Sequence, residues 1–255
     1  MLRATLEGIP LVNVLLLCAG TFAVTFFVAA IGSTGGVQLA LVTLTLPAPL
    51  AIPMHAWITG WAAVFRGWTL RRSIDWPYLA WFAPLSVAAS TAAIFITVRL
   101  PLAWFELIIG GWILGSTVMG FVARRPSVIG GMTHPALLGP TTGFLSVFVG
   151  ATGPLVFALL ANRYDRKEVV QATHAACMTL QHMAKIVLFG IVGSAIFAYP
   201  LLMAATIAAA FAGTRLGAHV LLRMDETLYR RLLAAVMLAV GSVIVARALL
   251  TLRAG

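Results

Sequence analysis

The chain alternates long apolar runs with short polar breaks, and the order of breaks repeats. Apolar runs fall at about 10–31, 37–52, 53–69, 77–98 and 103–122, and again at about 134–150, 153–162, 168–190, 196–219 and 229–251. The runs are continuous rather than alternating, which predicts helices and not the strands of an outer-membrane barrel. A membrane crossing needs roughly 20 apolar residues. The runs behind the breaks, above all 153–162, are short for that. Short helices at membrane depth are tolerated only where they line a cavity or are buried in protein.

Five runs followed by five predict two tandem repeats, at 1–125 and 126–255, joined by Ala123-Arg124-Arg125-Pro126-Ser127. Gly32-Ser33-Thr34-Gly35-Gly36 in the first answers Gly150-Ala151-Thr152-Gly153-Pro154 in the second. His55 answers His174 and Arg66 answers Lys185, each pair 119 residues apart (174 − 55 and 185 − 66). Five traverses are an odd number, so the second copy enters from the opposite side and the repeats are expected to be inverted. With the N-terminus outside, the clusters Arg66 to Arg72, Arg124-Arg125, Arg163 to Lys167, and Arg223 with Arg230-Arg231 all fall in the cytoplasm. That satisfies the positive-inside rule. Re-entrant post-glycine segments, with parallel repeats, are the alternative.

Composition agrees. The 255 residues are 61% hydrophobic and 9% charged, with a mean hydropathy of +1.02, far too few charges to coat a soluble domain. The formal charge of +10 sits mostly between apolar runs, where it orients the chain against anionic headgroups rather than binding nucleic acid. Cys18 and Cys177 have no ligand-type neighbours at metal spacing and are read as packing residues. The first apolar run leads straight into a glycine break and reads as a retained helix rather than a cleaved signal. The expected location is the cell inner membrane, with multiple passes.

Candidate chemistry lies in two places. On a helix, i, i+4, i+7 and i+11 share a face, which aligns His55, Thr59, Ala62 and Arg66 in one copy and His174, Met178, Gln181 and Lys185 in the other. Ionisable groups inside spans are costly and face a bundle interior or water. Arg66 is expected to extend to the cytoplasmic headgroups or, as the counterpart of Lys185, to serve the cytoplasmic entrance, whereas Lys185, with no charge near it, is assigned to the anion's path together with Gln181. The breaks themselves open helices with unpaired N–H groups and a positive dipole end, an anion site. Thr34, Thr152 and Ser33 could add hydroxyl donors there, and Gln38 sits one turn on. The substrate site is therefore expected from Gly32 to Gly36, Gln38, His55, Gly150, Ala151, Thr152, Gly153, His174, Gln181 and Lys185.

No Gly-x-Ser-x-Gly, HExxH, P-loop or dinucleotide fingerprint is present, so neither an enzyme nor a cofactor is expected. The spacings Gly111-xxx-Gly115, Gly139-xxx-Gly143 and Gly213-xxx-Gly217 allow close helix approach, within one subunit or across a homodimer. Trp57, Trp61, Trp68, Trp76, Trp81 and Trp104 are read as interfacial aromatics.

The glycine-flanked Gly20-Thr21-Phe22-Ala23-Val24 running into the first break, Gly143 to Gly150, Gly213-Thr214-Arg215-Leu216-Gly217-Ala218, and Arg223 to Arg231 together resemble the sulfite exporter TauE/SafE family along essentially the whole chain. The resemblance implies a secondary transporter that exports sulfite or a small organosulfur anion such as a sulfonate. An anion channel, or an uptake carrier for another small oxyanion, is the alternative.

Overall fold

In the computed structural model, residues 5–32, 35–95, 111, 114, 133–149, 152–191 and 194–254 are described. The expectations placed on Ser33, Thr34, Gly150, Ala151, Trp104, Gly111-xxx-Gly115 and the 123–127 linker lie wholly or partly outside them. Apart from a two-stranded hairpin of β1 (Thr5–Leu6) and β2 (Ile9–Pro10), the described chain is helical. The first half gives α1 (Leu11–Ala30), α2 (Gly35–Thr45), α3 (Ala48–Thr69) and α4 (Trp76–Phe95). The second gives α5 (Pro135–Val149), α6 (Gly153–Arg163), α7 (Lys167–Ile191), α8 (Pro200–Arg223) and α9 (Glu226–Ala254).

Length sorts these helices. Three stretches, Leu11–Ala30, Pro200–Arg223 and Glu226–Ala246, are long and apolar enough to cross a membrane. The two helices that follow the breaks, α2 and α6, have 11 residues each, about 16 Å at 1.5 Å per residue and half a bilayer core. They are broken elements, as the runs predicted. The boundary between the second and third segments moves, however. The helix α3 begins at Ala48 behind Pro47 and carries Pro53 inside it, so the sequence boundary at Ile52–Pro53 falls within a helix.

Polar contacts fix the direction of each helix. The Asn13 amide donates to Thr45 O at 3.0 Å and the Gln38 amide to Thr21 Oγ1 at 3.1 Å, so α2 runs back along α1. Along α3, Gly60 faces His182 and Met183 while Gly67 faces Ala175, so α3 and α7 are antiparallel. On α8, Gly213 meets Phe22 O and Gly217 meets Phe26 O; on α5, Gly139 meets Phe82 O and Gly143 meets Ser86 O. Both pairs, α1 with α8 and α4 with α5, are therefore parallel. The two small-residue spacings serve packing inside the subunit, because a Cβ at Gly143, Gly213 or Gly217 would overlap a neighbouring carbonyl oxygen.

Several helix pairs recur when the halves are exchanged. α1 packs on α8 as α4 packs on α5, α3 on α8 as α4 on α7, α2 on α3 as α6 on α7, and α3 packs on its own counterpart α7.

Three basic connections meet at one end. The Tyr164 hydroxyl donates to Asp75 Oδ2 at 2.6 Å, joining the α6–α7 turn to the α3–α4 turn. Burial, reinforced by that carboxylate, holds the Tyr164 phenol well above its ordinary range, so it remains a donor. Arg230 donates to the Tyr164 and Asp165 carbonyls, and the Lys167 ammonium donates to Met224 O, bringing in the α8–α9 turn. At the opposite end the Glu7 carboxylate accepts from the N–H groups of Leu201 and Leu202 at 2.8 and 3.1 Å, capping the α8 N-terminus.

Candidate functional site

The C-terminal half of α1, the face of α3 from His55 to Arg66 and the middle turns of α7 border a cavity of about 60 Å³. One water occupies roughly 10–15 Å³ on that measure, so several waters or one small oxyanion fit. Val24, Thr25 and Val28 line it from α1, and His55, Thr59, Ala62, Ala63 and Arg66 from α3. His174, Met178 and His182 line it from α7. Gly153, the first residue of α6, and Gln38, the fourth of α2, complete the wall. The first turns of both post-break helices thus border one space.

Arg66 dominates this cavity. Its sequence reading as a headgroup anchor is overturned: the residue is only 3% exposed and turns inward. Its Nη1 donates to Val28 O at 3.3 Å and its Nη2 lies 2.9 Å from His174 Nδ1. Val28 is in the last turn of α1, whose final carbonyls have no intrahelical partner. A cation there caps the helix end and compensates its negative dipole. The Arg66 Nε–H has no partner among the described residues, which leaves a donor on the one guanidinium that lines the cavity.

The histidine geometry follows from Arg66. A guanidinium only donates, so His174 Nδ1 accepts and the ring proton sits on Nε2, which donates to Gly153 O at 3.1 Å. His55 and His182 meet edge to face, with ring centroids 5.8 Å apart. Among the described residues no Asp or Glu lines the cavity. A permanent cation with no described carboxylate beside it favours an anion and disfavours a metal cation, although the Thr25 and Thr59 hydroxyl protons are already given to backbone carbonyls of their own helices.

The second half holds a polar cluster of its own, whose members bond to one another. The Gln181 amide donates to Ser86 Oγ at 2.9 Å and to Thr142 Oγ1 at 3.0 Å, and Thr152 Oγ1 lies 3.4 Å from Gln181 Oε1. The Lys185 ammonium donates to Ser146 O at 2.9 Å. Gln181 stands where the first copy has Ala62 (181 − 119), so a side chain occupies the space left open there. Lys185 is 8% exposed, and neither it nor Gln181 lines the cavity.

The structure therefore gathers Gln38, His55, Gly153 and His174 of the sequence-predicted set at one cavity. Thr152 is buried beside it in the Gln181 network, and Gly32 is buried against Leu233 and Phe157. Gly36 has open space around it. Sequence reasoning missed His182, which lies two turns beyond His174 and hence on the same helix face.

Comparison with curated proteins and with solved structures returns no significant match. The family model described as "Sulfite exporter TauE/SafE" matches residues 16–244, a stretch that contains every described helix of the cavity wall except the first turn of α1. With helices of membrane-spanning length among those described, and that match over most of its length, the chain belongs to the TauE/SafE family of integral membrane transporters for sulfite- and sulfonate-type anions.

Proposed function

We propose that this protein exports sulfite or a small organosulfonate from the cytoplasm, and that the anion binds in the cavity against Arg66. The observation that carries the reading is the Arg66 guanidinium: buried, held by Val28 O and His174, with one N–H unused, in a cavity that no described carboxylate lines. The α2 and α6 N-terminal turns add favourable dipole ends, and His55, on the same helix as Arg66, and His182 beside it add ring nitrogens further along the cavity.

The two halves are read as inverted repeats. Equivalent helices that pack antiparallel, as α3 and α7 do, are exchanged by a two-fold axis perpendicular to both. For helices crossing a membrane, that axis lies in the membrane plane. Two bonds support the equivalence. Arg66 donates to Val28 O and Lys185 to Ser146 O, and the acceptors are 118 residues apart (146 − 28) where the donors are 119 apart. Applied to the Arg66–His174 contact, the same operation pairs Lys185 with His55. We read the present state as one of two, with the mate pair formed when the cavity faces the other side.

The test is sulfite efflux from proteoliposomes loaded with sulfite, with sulfonates as competitors. Saturable efflux that sulfonates inhibit and that Arg66→Met reduces at least ten-fold is expected. Efflux equal to that of protein-free vesicles removes the substrate assignment. Non-saturating current under voltage clamp makes the protein a channel.

A further inference from the structure

The segment Gly213-Thr214-Arg215-Leu216-Gly217-Ala218 has two faces with different fates. Gly213, Thr214, Gly217 and Ala218 are buried, the two glycines directly against the α1 backbone. Arg215 and Leu216 point away from that contact and are exposed, as is His219 one turn on. Arg215 and His219 make no hydrogen bond or ion pair among the described residues. A cation on the outer side of an apolar, span-length helix is costly unless it meets an anion or water.

A groove of about 610 Å³ lies over these residues, walled by Phe211, Leu216 and Leu222 and floored by Arg215, His219 and Thr69. Its depth follows from the packing of α3 on α8. Met54 approaches Thr206, and Phe65 stacks edge to face on Phe211 with centroids 5.0 Å apart, so the two helices run parallel. Arg215, four residues after Phe211, is then level with Thr69, the last residue of α3. Beside it Trp68 is 70% exposed and the Arg71 guanidinium sits over its ring, 4.9 Å from the centroid, an interfacial aromatic with a basic neighbour. The groove therefore opens at headgroup level on the basic end of the bundle.

We propose that this groove is a binding site for an anionic phospholipid, with Arg215 and His219 on the headgroup phosphate and the acyl chains along Phe211, Leu216 and Leu222. The match is one of charge and amphipathy: the Arg215 cation with the His219 imidazole beside it at interface depth continues into an apolar wall, as basic pockets between helices do for anionic lipids on the cytoplasmic side. A free hydrated oxyanion gains nothing from that wall.

Native mass spectrometry of the full-length protein in neutral detergent, titrated with phosphatidylglycerol or phosphatidylcholine, reads the site directly. The wild type should prefer phosphatidylglycerol, and Arg215→Gln should lower that preference about five-fold, the worth of one surface cation. Arg231→Gln, which removes an exposed charge elsewhere at the same end, should leave it unchanged. Equal binding of the two lipids by the wild type overturns the proposal, and so does an unaltered preference in Arg215→Gln or an equal loss in Arg231→Gln. Displacement of the lipid by millimolar inorganic phosphate assigns the site to free anions instead. A wild-type dimer that Arg215→Gln dissociates assigns the groove to a second copy of the chain.

Discussion

Arg66 Nη2 and His174 Nδ1 lie 2.9 Å apart across the interface of α3 and α7, which ties the two halves of the protein together at the cavity. The contact has a chemical consequence. Because guanidinium cannot accept, the bond exists only while His174 is neutral and protonated on Nε2. A proton arriving at Nδ1 would set two donors against each other. The sequence-based idea that histidines couple transport to protons thus acquires a specific place to act, and a pH gradient that leaves efflux unchanged would remove it.

Arg66 itself should be needed for binding more than for folding of the bundle. Arg66→Met removes the cavity's permanent cation and leaves His174 Nδ1 without its donor, while the Val28 carbonyl keeps the Gln171 amide at 3.2 Å. Hydrogen bonds to charged groups contribute about 1.5–3 kcal/mol each, so sulfite affinity should fall ten-fold or more. Arg66→Lys can keep the cap on Val28 O, as Lys185 does on Ser146 O, yet cannot supply the free Nε–H. It should restore stability in detergent without restoring affinity. Binding measured calorimetrically and thermal unfolding of the same samples separate the two effects.

The glycines divide into packing and non-packing positions. A Cβ at Gly143 would come within 2.3 Å of Ser86 O, at Gly213 within 2.3 Å of Phe22 O, and at Gly217 within 2.2 Å of Phe26 O. Backbone atoms cannot rotate aside, so alanine at any of these should destabilise by about 1–3 kcal/mol, the usual cost of overpacking. At Gly36 nothing lies within 4 Å, and Gly36→Ala should leave the unfolding midpoint unchanged. Equal stability of Gly213→Ala and wild type would mean that α1 and α8 are further apart than described.

Much of this architecture was legible because lipid simplifies the code. Where the solvent is apolar, a continuous apolar run is a helix and a glycine break is a place where the backbone must find another partner. Hence the short helix after the second break and the His55 and His174 stripes were visible, whereas the run at about 37–52 hid the end of the first short helix at Thr45. The position of Arg66 was not, since an arginine at the end of an apolar run reads the same whether it snorkels out or turns in to cap a neighbouring helix. Trp57 and Trp61 failed similarly. They sit in the middle of α3, Trp57 donating to Met203 O at 3.3 Å, while Trp68 and Trp76 do flank the basic end. The asymmetry of the two clusters also needed the structure, although Gln181 in the place of Ala62 was its sequence trace.

The basic end should face the cytoplasm. Single cysteines at Ser73, Asp165 and Asp225, in a background lacking Cys18 and Cys177, should resist a membrane-impermeant thiol reagent added to intact cells. Cysteines at Glu7 and Ser194 should react. Labelling of any one of the first three without the others would break the grouping of the α3–α4, α6–α7 and α8–α9 turns at one end, and reaction of all three would reverse the orientation.

The proposed exchange of cation–histidine pairs predicts opposite effects for two substitutions that a purely structural role would not. If Arg66–His174 holds the present state and Lys185–His55 the alternative one, Arg66→Met should shift the population away from the present state, and Lys185→Met should shift it toward that state. A cysteine at Thr59, on the cavity wall, reports the shift through its accessibility to impermeant reagents from each side of oriented vesicles. Accessibility should move in opposite directions in the two variants and return toward wild type when they are combined, while Lys185→Arg, which keeps the charge, should behave as wild type within about two-fold. Shifts of the same sign in both variants would show that the two cations merely cap the α1 and α5 ends. Lys185 would then stabilise the second half without taking part in the change of state.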